Sequence, residues 1–462
     1  MERNAIFILT QFSFRWLGRL GVFFLWLTHF AVGADSPIEP GPSLPTLLKS
    51  ALVNSGQIKE SEGDIEIARA QLAQARAALF PHGSVMVLAA PMPGAHGDAV
   101  NGGTYWHEWG PFVDASAQIV LPLYTFGQVG NYKKAAERQI DARTNQAEMK
   151  KAEVIAQAKE FYYGYLMAVE LGSLVDDLTK FLDEAVTTAE KQSKDKKKKG
   201  ATVKPHDIFR LKTALQDLRQ KKLQADAGRM TAEKAVAWVT GANFQHLTEG
   251  SLEPEEYELK SLDEYLKIAE QHRPEFKALS AGQEARAALR DAKRAQSYPV
   301  VFLGAFGNFP WTPVRDRQNS PFAYDPYNQI TGGAGLGLKL DIEFWRHAAE
   351  AAEQNAELMK LKATETYAAP GVRLQVRKAF WELQQAVEGM KIAEERKSLG
   401  ERWFVSNAMG WSIGITPPKD LLEALEGNGL ARKNYIETVY ALNLALAHLT
   451  QAVGQEVTSL KY

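Results

Sequence analysis

Few side chains in this sequence are spaced to do chemistry, and those few are charged. Asp420 and Glu423 stand three residues apart, so on a helix they share one face. Thr416 and Pro417 precede them: a hydroxyl that can cap a helix, then a residue suited to its first turn. The plain role of two carboxylates there is to complement a helix N-terminus. Lys194, Lys196, Lys197, Lys198 and Lys199 crowd before Gly200, as cations do at a helix C-terminus. His107-Glu108 is an adjacent pair in a loop pattern, with no second cluster of metal ligands. Gly332-Gly333-Ala334-Gly335-Leu336-Gly337 is a phosphate-loop string inside a strand pattern, with no crossover helix after it. Small residues against a crowded wall fit it better. No nucleophile, base and orienting group occur at a supporting spacing, so neither an enzyme, a cofactor nor a metal site is expected.

Composition narrows the partners. The chain has 462 residues, 45% hydrophobic and 24% charged, with a net charge of −1. Without a basic excess, nucleic acid is not an expected partner. Cysteine is absent, which excludes disulfides, thiolate metal sites and a lipid-modified N-terminal cysteine. Arg3, Arg15 and Arg19 precede an apolar run from Leu20 to Val32, and Val32-Gly33-Ala34 leads into Asp35. That layout predicts a secretory signal peptide over 1–34, then an irregular lead-in over 35–46. No later stretch reads as a transmembrane helix. An exported chain without a helix anchor is either soluble or built into a β-barrel.

The elements that must position these residues come twice. Residues 47–81 align without a gap to 265–299: Leu48 meets Leu266, Ala51 meets Ala269, Arg76 meets Arg294 and Pro81 meets Pro299. A second block pairs Asp207 to Gly241 with Asp420 to Gly454. The identities are sparse, so the order of elements carries the repeat. The halves, 47–250 and 251–462, each read as short helices, two strands, a long helix, a turn and another long helix. Ile155, Ala158, Tyr162, Tyr165 and Val169, and later Val372, Val376, Ala379, Leu383 and Met390, recur at helical steps. The pattern over 131–190 predicts a helix on the order of 90 Å long, which must pack as a coiled coil.

Strands are expected at about 84–90, 112–121, 300–308 and 331–340. Val113, Ala115, Ala117, Ile119 and Leu121 alternate with Asp114, Ser116 and Gln118, as in a transmembrane strand or a soluble strand with one wet face. Segments 91–111 and 310–330, rich in proline, read as long linkers. Trp106, Trp109, Trp311 and Tyr324 near the strand ends suit a lipid interface or loop packing equally. Four strands cannot close a barrel, and lipid does not tolerate an open edge. If these strands cross a membrane, several chains must share one barrel.

The motifs, in order, resemble the outer membrane efflux protein (TolC) family across essentially the whole mature chain. They are Ala75-Arg76-Ala77-Ala78-Leu79-Phe80-Pro81 with its echo Lys293 to Pro299, the strand exit Leu121-Pro122-Leu123-Tyr124-Thr125-Phe126-Gly127, and the tip Gly414-Ile415-Thr416-Pro417-Pro418-Lys419-Asp420-Leu421-Leu422, echoed by Gly200 to Asp207-Ile208. The resemblance implies a mainly α fold with transmembrane β: a long α-helical coiled-coil barrel joined to an oligomer-shared β-barrel, with four strands from each chain of a homotrimer. It implies a passive export duct across outer membrane and periplasm, seated in outer-membrane lipid. A periplasmic adaptor (membrane fusion) protein and an inner-membrane transporter would work with it.

Carried onto this sequence, Asp420 and Glu423 fall where the family's acidic residues narrow the periplasmic mouth. Gly200, Asp207, Gly414, Thr416 and Pro417 fall at adaptor-contacting tip turns, and the lysine run would dock or repel an adaptor. Converging carboxylates disfavour full ionisation and attract cations. Charges about 6 Å apart in water repel by only about 0.7 kcal/mol per pair, so packing would have to hold such a mouth shut. The sequence departs from the pattern at Leu340 to Trp345, which lacks the Pro and Gly of the first strand exit, and at the longer, lysine-rich first tip. The alternative is a soluble periplasmic coiled-coil scaffold whose strands form a small wet sheet. Whether drugs, metal ions or proteins would be exported stays open.

Overall fold

The computed structural model describes residues 42–98, 100–194, 203–241, 247, 250–318 and 320–459. The expected signal peptide, the first part of the lead-in, Lys196 to Lys199 and Gly200 lie outside the described residues.

The two halves repeat one order of elements. The first contains α1 (Leu44–Asn54), α2 (Gly56–Ala77), β1 (His82–His96), β2 (Gly103–Tyr124), α3 (Gln128–Lys194) and α4 (Pro205–Thr240). The second contains α5 (Leu262–His272), α6 (Pro274–Ala295), β3 (Val300–Trp311), β4 (Thr331–Lys339), α7 (Phe344–Ser412) and α8 (Pro418–Val453). α1 starts inside the expected lead-in because Pro45 suits a first helical turn. With 67 and 69 residues, α3 and α7 each extend about 100 Å.

The strands form one antiparallel sheet in the order β1-β2-β3-β4. The first pair is longer than its alternation suggested. Segment 91–111 is ladder, not linker: Pro91 lies opposite Pro111 and Pro93 opposite Trp109. Proline is tolerated here because β1 is an edge strand and β2 has lost β3 beyond Val113, so neither ring removes a needed N–H. All four strands run side by side only from the helix end to Met86, Ser116, Asn308 and Thr331. Beyond that level the β1–β2 hairpin continues to His96, a further 30 Å or so at roughly 3.3 Å per residue.

The helices form a layer one helix thick. Near the sheet the neighbours run α2-α3-α6-α7, and farther away α4-α3-α8-α7. α6 enters this layer on a stripe of buried alanines, Ala278, Ala281, Ala285, Ala288, Ala292 and Ala295, which lets its neighbours approach closely. Arg138 of α3 meets Glu284 of α6 at 2.8 Å, and Lys222 of α4 meets Asp176 of α3 at 2.6 Å. α7 changes partners along its length. Lys293 of α6 reaches Glu350 at 2.8 Å and Gln283 reaches Glu365 at 2.7 Å. From Val372 onward α7 packs with α5 and α8. Pro370 and Gly371 sit at the changeover, where the missing proline N–H relaxes the helix.

A polar belt ties the inter-repeat segment and the C-terminal tail to the layer. Asn443 donates to the Glu253 carbonyl at 2.8 Å and accepts from the Glu255 N–H at 2.9 Å. Tyr163 donates to Glu255 at 2.8 Å; burial, then the Glu255 charge, pushes its phenol well above the ordinary range, so it remains a donor. Lys159, 2% exposed, donates to Glu456 at 2.7 Å.

The repeat is exact where backbone geometry demands it. Gly241 and Gly454 end α4 and α8 in the left-handed region, at φ 60° and 76°. Their surroundings differ. A Cβ on Gly241 would lie 2.6 Å from the Asn54 carbonyl oxygen, whereas one on Gly454 would meet Arg273 at an ordinary 3.6 Å. Gly454→Ala should therefore cost only the left-handed strain, about 1–2 kcal/mol. Gly241→Ala should cost distinctly more and lower the thermal midpoint of the helical circular-dichroism signal further. Equal midpoints would refute this ranking.

Candidate functional site

The sheet has two chemically distinct faces. Opposed residues share a face, so Val85, Ala117, Ile119, Leu121, Leu303 and Leu336 line one and Ser84, Gln118, Ser116, Asn308 and Thr331 line the other. On the second face Gln118 donates to Ser84 at 3.1 Å. Gly333, Gly335 and Gly337 of the glycine string lie on this face, beside Phe302 and Phe306, and their small size has a steric reason. A Cβ on Gly337 would come within 2.4 Å of the Phe302 ring, and one on Gly333 within 3.3 Å of the Phe306 ring. Among the described residues nothing covers the apolar face at Val85, 76% exposed, or at Leu336, 75% exposed.

Exposed aromatic side chains bracket the sheet. Phe80, Tyr124, Phe126, Tyr298 and Trp345 lie at the helix end, and Trp109 and Trp311 toward the other. Phe126 has a positive φ of 47°, a strained value for a bulky residue. It is held by stacking on Tyr298 at 6.1 Å and by the edge of Tyr124 at 4.6 Å. Trp106 and Trp109 pack on each other at 6.4 Å, and Trp109 donates to the Trp106 carbonyl at 2.7 Å.

At the far end, the β3–β4 loop folds beside the β1–β2 hairpin. Asp325 organises it, accepting from the backbone N–H groups of Gln318, Tyr327 and Asn328. Sequence reading paired Glu108 with His107 and put both in a loop; both lie in β2, and the partner of Glu108 is His96. His96 Nε2 is 3.0 Å from Glu108, and its Nδ1 is 3.2 Å from Asp316. The contact to Glu108, then that to Asp316, raises the His96 pKa above its ordinary value. The Gly97 N–H, then His96, lowers that of Asp316. These partners are 12 and 220 residues apart in sequence, and no sequence spacing announces them. Among the described residues, no group of three or more His, Cys, Asp or Glu is disposed to hold a metal ion.

The opposite extremity is formed by the helix tips. Lys194 is the last residue of α3. Pro205 and Pro418 occupy the first turns of α4 and α8, so Asp207 and Asp420 hold equivalent positions. Their environments differ. Asp207 is buried and accepts the Lys204 N–H at 3.2 Å. Asp420 is exposed, as is Glu423, which pairs with Lys419 at 3.6 Å. Thr416 does not cap α8. The N-cap is Pro417, which has no side-chain acceptor, and Thr416 lies one residue too early. Its hydroxyl packs on Gly410, where a Cβ would be 2.2 Å away. Gly414, at φ 80°, turns the chain, and the N–H groups of Ile415 and Thr416 both donate to the Gly410 carbonyl at 2.8 and 3.1 Å. Above the tip α8 closes tightly on its neighbours: Gly427 lies under Trp403 and Gly429 takes Leu178.

A mainly helical chain with one four-stranded sheet at the end of two very long helical hairpins shares its fold with solved outer-membrane channels. The outer membrane efflux protein family profile matches residues 265–455, the second repeat. Among solved structures, the chain is similar to the CmeC outer membrane channel of Campylobacter jejuni, with a TM-score of 0.72 and 15% identity over 91% of this chain and 87% of that one. It is also similar to the MtrE outer membrane channel of Neisseria gonorrhoeae (0.69, 16%, 93% and 94%). The outer membrane protein VceC of Vibrio cholerae gives 0.68 and 16% over 90% and 96%. Comparison with curated proteins gives no match. No helix among the described residues is long and apolar enough to cross a membrane.

The second tip turn hangs on the contact between Gly410 and Thr416. Gly410→Ala should displace Thr416 and raise the proteinase K cleavage rate within 413–417 several-fold, with the far-ultraviolet circular dichroism unchanged. Unaltered cleavage would show that the turn does not need this contact.

Proposed function

We propose that the chain is one stave of a passive export duct of the outer membrane, completed by two further copies of itself. The observation that carries this reading is a sheet with an uncovered apolar face and two unpaired edges, β1 and β4. The nine residues of β4 meet the roughly 9–11 that a tilted strand needs to cross a bilayer. The aromatic residues at both ends fit the two lipid interfaces. Backbone groups along β1 and β4 can be satisfied in hydrocarbon only by another strand, so β4 of one copy joins β1 of the next. Three copies give twelve strands. The helix layer supports the same closure: α4 exposes Phe209, Leu223, Met230 and Trp238, and α7 exposes Leu374, Trp381, Ile392 and Leu399. These two flanks differ, so they join head to tail, and such a contact makes a closed ring.

In this arrangement the face of Ser84, Gln118, Ser116 and Asn308 lines water, and the tips lie at the periplasmic end. Asp420 and Glu423 ring the periplasmic mouth. Gly200, Asp207, Gly414, Thr416 and Pro417, with the lysines before Gly200, offer the surface for a periplasmic adaptor. An inner-membrane transporter supplies the energy.

Leu336→Arg, near mid-depth on the apolar face, should impair assembly into lipid vesicles by about 2–4 kcal/mol, while Gln118→Arg on the opposite face should assemble nearly normally. Equal behaviour of the two would sink the membrane orientation. Asp420→Ala combined with Glu423→Ala should raise single-channel conductance in planar bilayers; unchanged conductance would remove these carboxylates from the mouth.

A further inference from the structure

We propose that His96 is the pin of a proton-operated latch, docking the β3–β4 loop onto the β1–β2 hairpin when its imidazole is charged and loosening it when neutral. Each ring nitrogen of His96 faces a different carboxylate, Glu108 at 3.0 Å and Asp316 at 3.2 Å. A neutral imidazole carries one N–H and can donate to only one of them; the imidazolium donates to both. Glu108 belongs to β2, beside β1 in the ladder, whereas Asp316 belongs to the loop. Only the imidazolium can hold both at once; the neutral ring leaves one carboxylate without its donor, so protonation strengthens the hold of the hairpin on the loop through this side chain.

Other contacts hold the loop beside this point: Thr312 donates to the Pro111 carbonyl at 2.9 Å and Val314 packs on Gly110. Ala95 donates to the Val314 carbonyl at 2.9 Å and accepts from the Asp316 N–H at 3.1 Å. Gly97 donates to the second Asp316 oxygen at 3.0 Å, and Gln318 reaches the Gly97 carbonyl at 3.2 Å. Of these bonds, the one from Gly97 ends on the Asp316 carboxylate that His96 also holds, so losing the ring contact leaves that carboxylate with a single backbone donor.

The charges around the ring favour the imidazolium. From β2, Glu108 faces it, and the Tyr105 ring lies 5.4 Å away with His107 behind that ring. From the turn, the Asp98 carboxylate is occupied by the N–H groups of Val100 and Asn101. From the loop, Asp316 faces it; Arg315 turns away to lie 4.0 Å over the Tyr327 ring, and Arg317 is the remaining nearby cation of that segment. His96 and both its partners stand well beyond the four-stranded level, in contact with solvent. The raised pKa of His96 agrees with this setting. Its sign follows from linkage: the docked state binds the proton more tightly than the undocked one. Docking is fully supported below the ordinary value of 6.5 and is lost as pH rises through the higher docked-state value.

The latch belongs to the outer loops, so its test is independent of whether the protein conducts. The chain has no cysteine, and Phe322 is almost fully exposed in the loop. A spin label on Phe322→Cys of the full detergent-purified protein reports loop mobility by electron paramagnetic resonance from pH 5 to pH 9. Mobility should rise several-fold with pH, with a midpoint above 6.5. His96→Gln should give the high-pH mobility throughout, and Asp316→Asn should lower the midpoint, with equal helical circular dichroism in all three. A mobility that ignores pH, a His96→Gln protein that keeps the original response, or an Asp316→Asn protein with an unmoved midpoint would each overturn the proposal.

Discussion

A backbone N–H or C=O at the edge of a sheet must find a partner, and hydrocarbon offers no water to serve as one. Each bare group there costs several kcal/mol. The outer edges of β1 and β4 place a row of such groups beside an apolar face, so in the proposed ring the sheet is half of an interface before any other element is considered. The helix layer repeats the condition in aqueous terms. It is one helix thick, and its flanking members keep large apolar side chains in the open, Trp238 on α4 and Trp381 on α7. The flanks coincide: β1, α2 and α4 belong to one side of the chain, β4 and α7 to the other. In the proposed ring one lateral contact satisfies sheet and helices together, so strand pairing and helix packing cannot choose different numbers of copies.

The internal repeat supplies the material for this arrangement, and its imperfections show where the halves do different work. Both end in a left-handed glycine, Gly241 or Gly454, but the first abuts the Asn54 carbonyl and the second abuts Arg273. Arg273, nearly buried, donates to the carbonyls of Gln451 and Ala452 and so satisfies acceptors at the end of α8. Its counterpart in the first half is Ser55, which cannot reach so far. The second half also carries Pro370, at the changeover in α7 from α6 to α5 and α8, whereas α3 makes the corresponding passage without a proline.

The repeated order of elements, the length of the first long helix and the small residues of β4 were legible in the sequence. Each rests on periodicity that acts along the chain. Two features were misread for identifiable reasons. Pro91 and Pro93 looked like loop residues because proline is excluded from strands in general; it is accepted where the missing N–H faces an unpaired edge. Thr416 looked like a cap by its type, yet the proline at the first turn of α8 is Pro418, which moves the cap to Pro417. What could not be read at all were contacts made by folding distant segments together. His96 with Asp316, Phe302 over Gly337 and Thr416 on Gly410 each depend on a register that no local pattern encodes.

The tips show how little charge alone decides in this fold. Asp207 and Asp420 hold the same position in equivalent helices, but Asp207 is consumed in satisfying a backbone N–H while Asp420 stands in solvent. Exposed carboxylates about 6 Å apart repel by only about 0.7 kcal/mol, and salt screens them beyond about 8 Å. Packing above the tip acts on another scale. The Trp403 ring covers Gly427 closely enough that no side chain could replace the glycine hydrogen, and Leu178 fills the space at Gly429. Burying a side chain such as that of Leu178 contributes about 1.5–3 kcal/mol. In the proposed ring, therefore, the width of the periplasmic mouth is set by how α8 seats on α3 and α7. The carboxylates of Asp420 and Glu423 act afterwards, on which ions approach an opening whose size the helices have already determined.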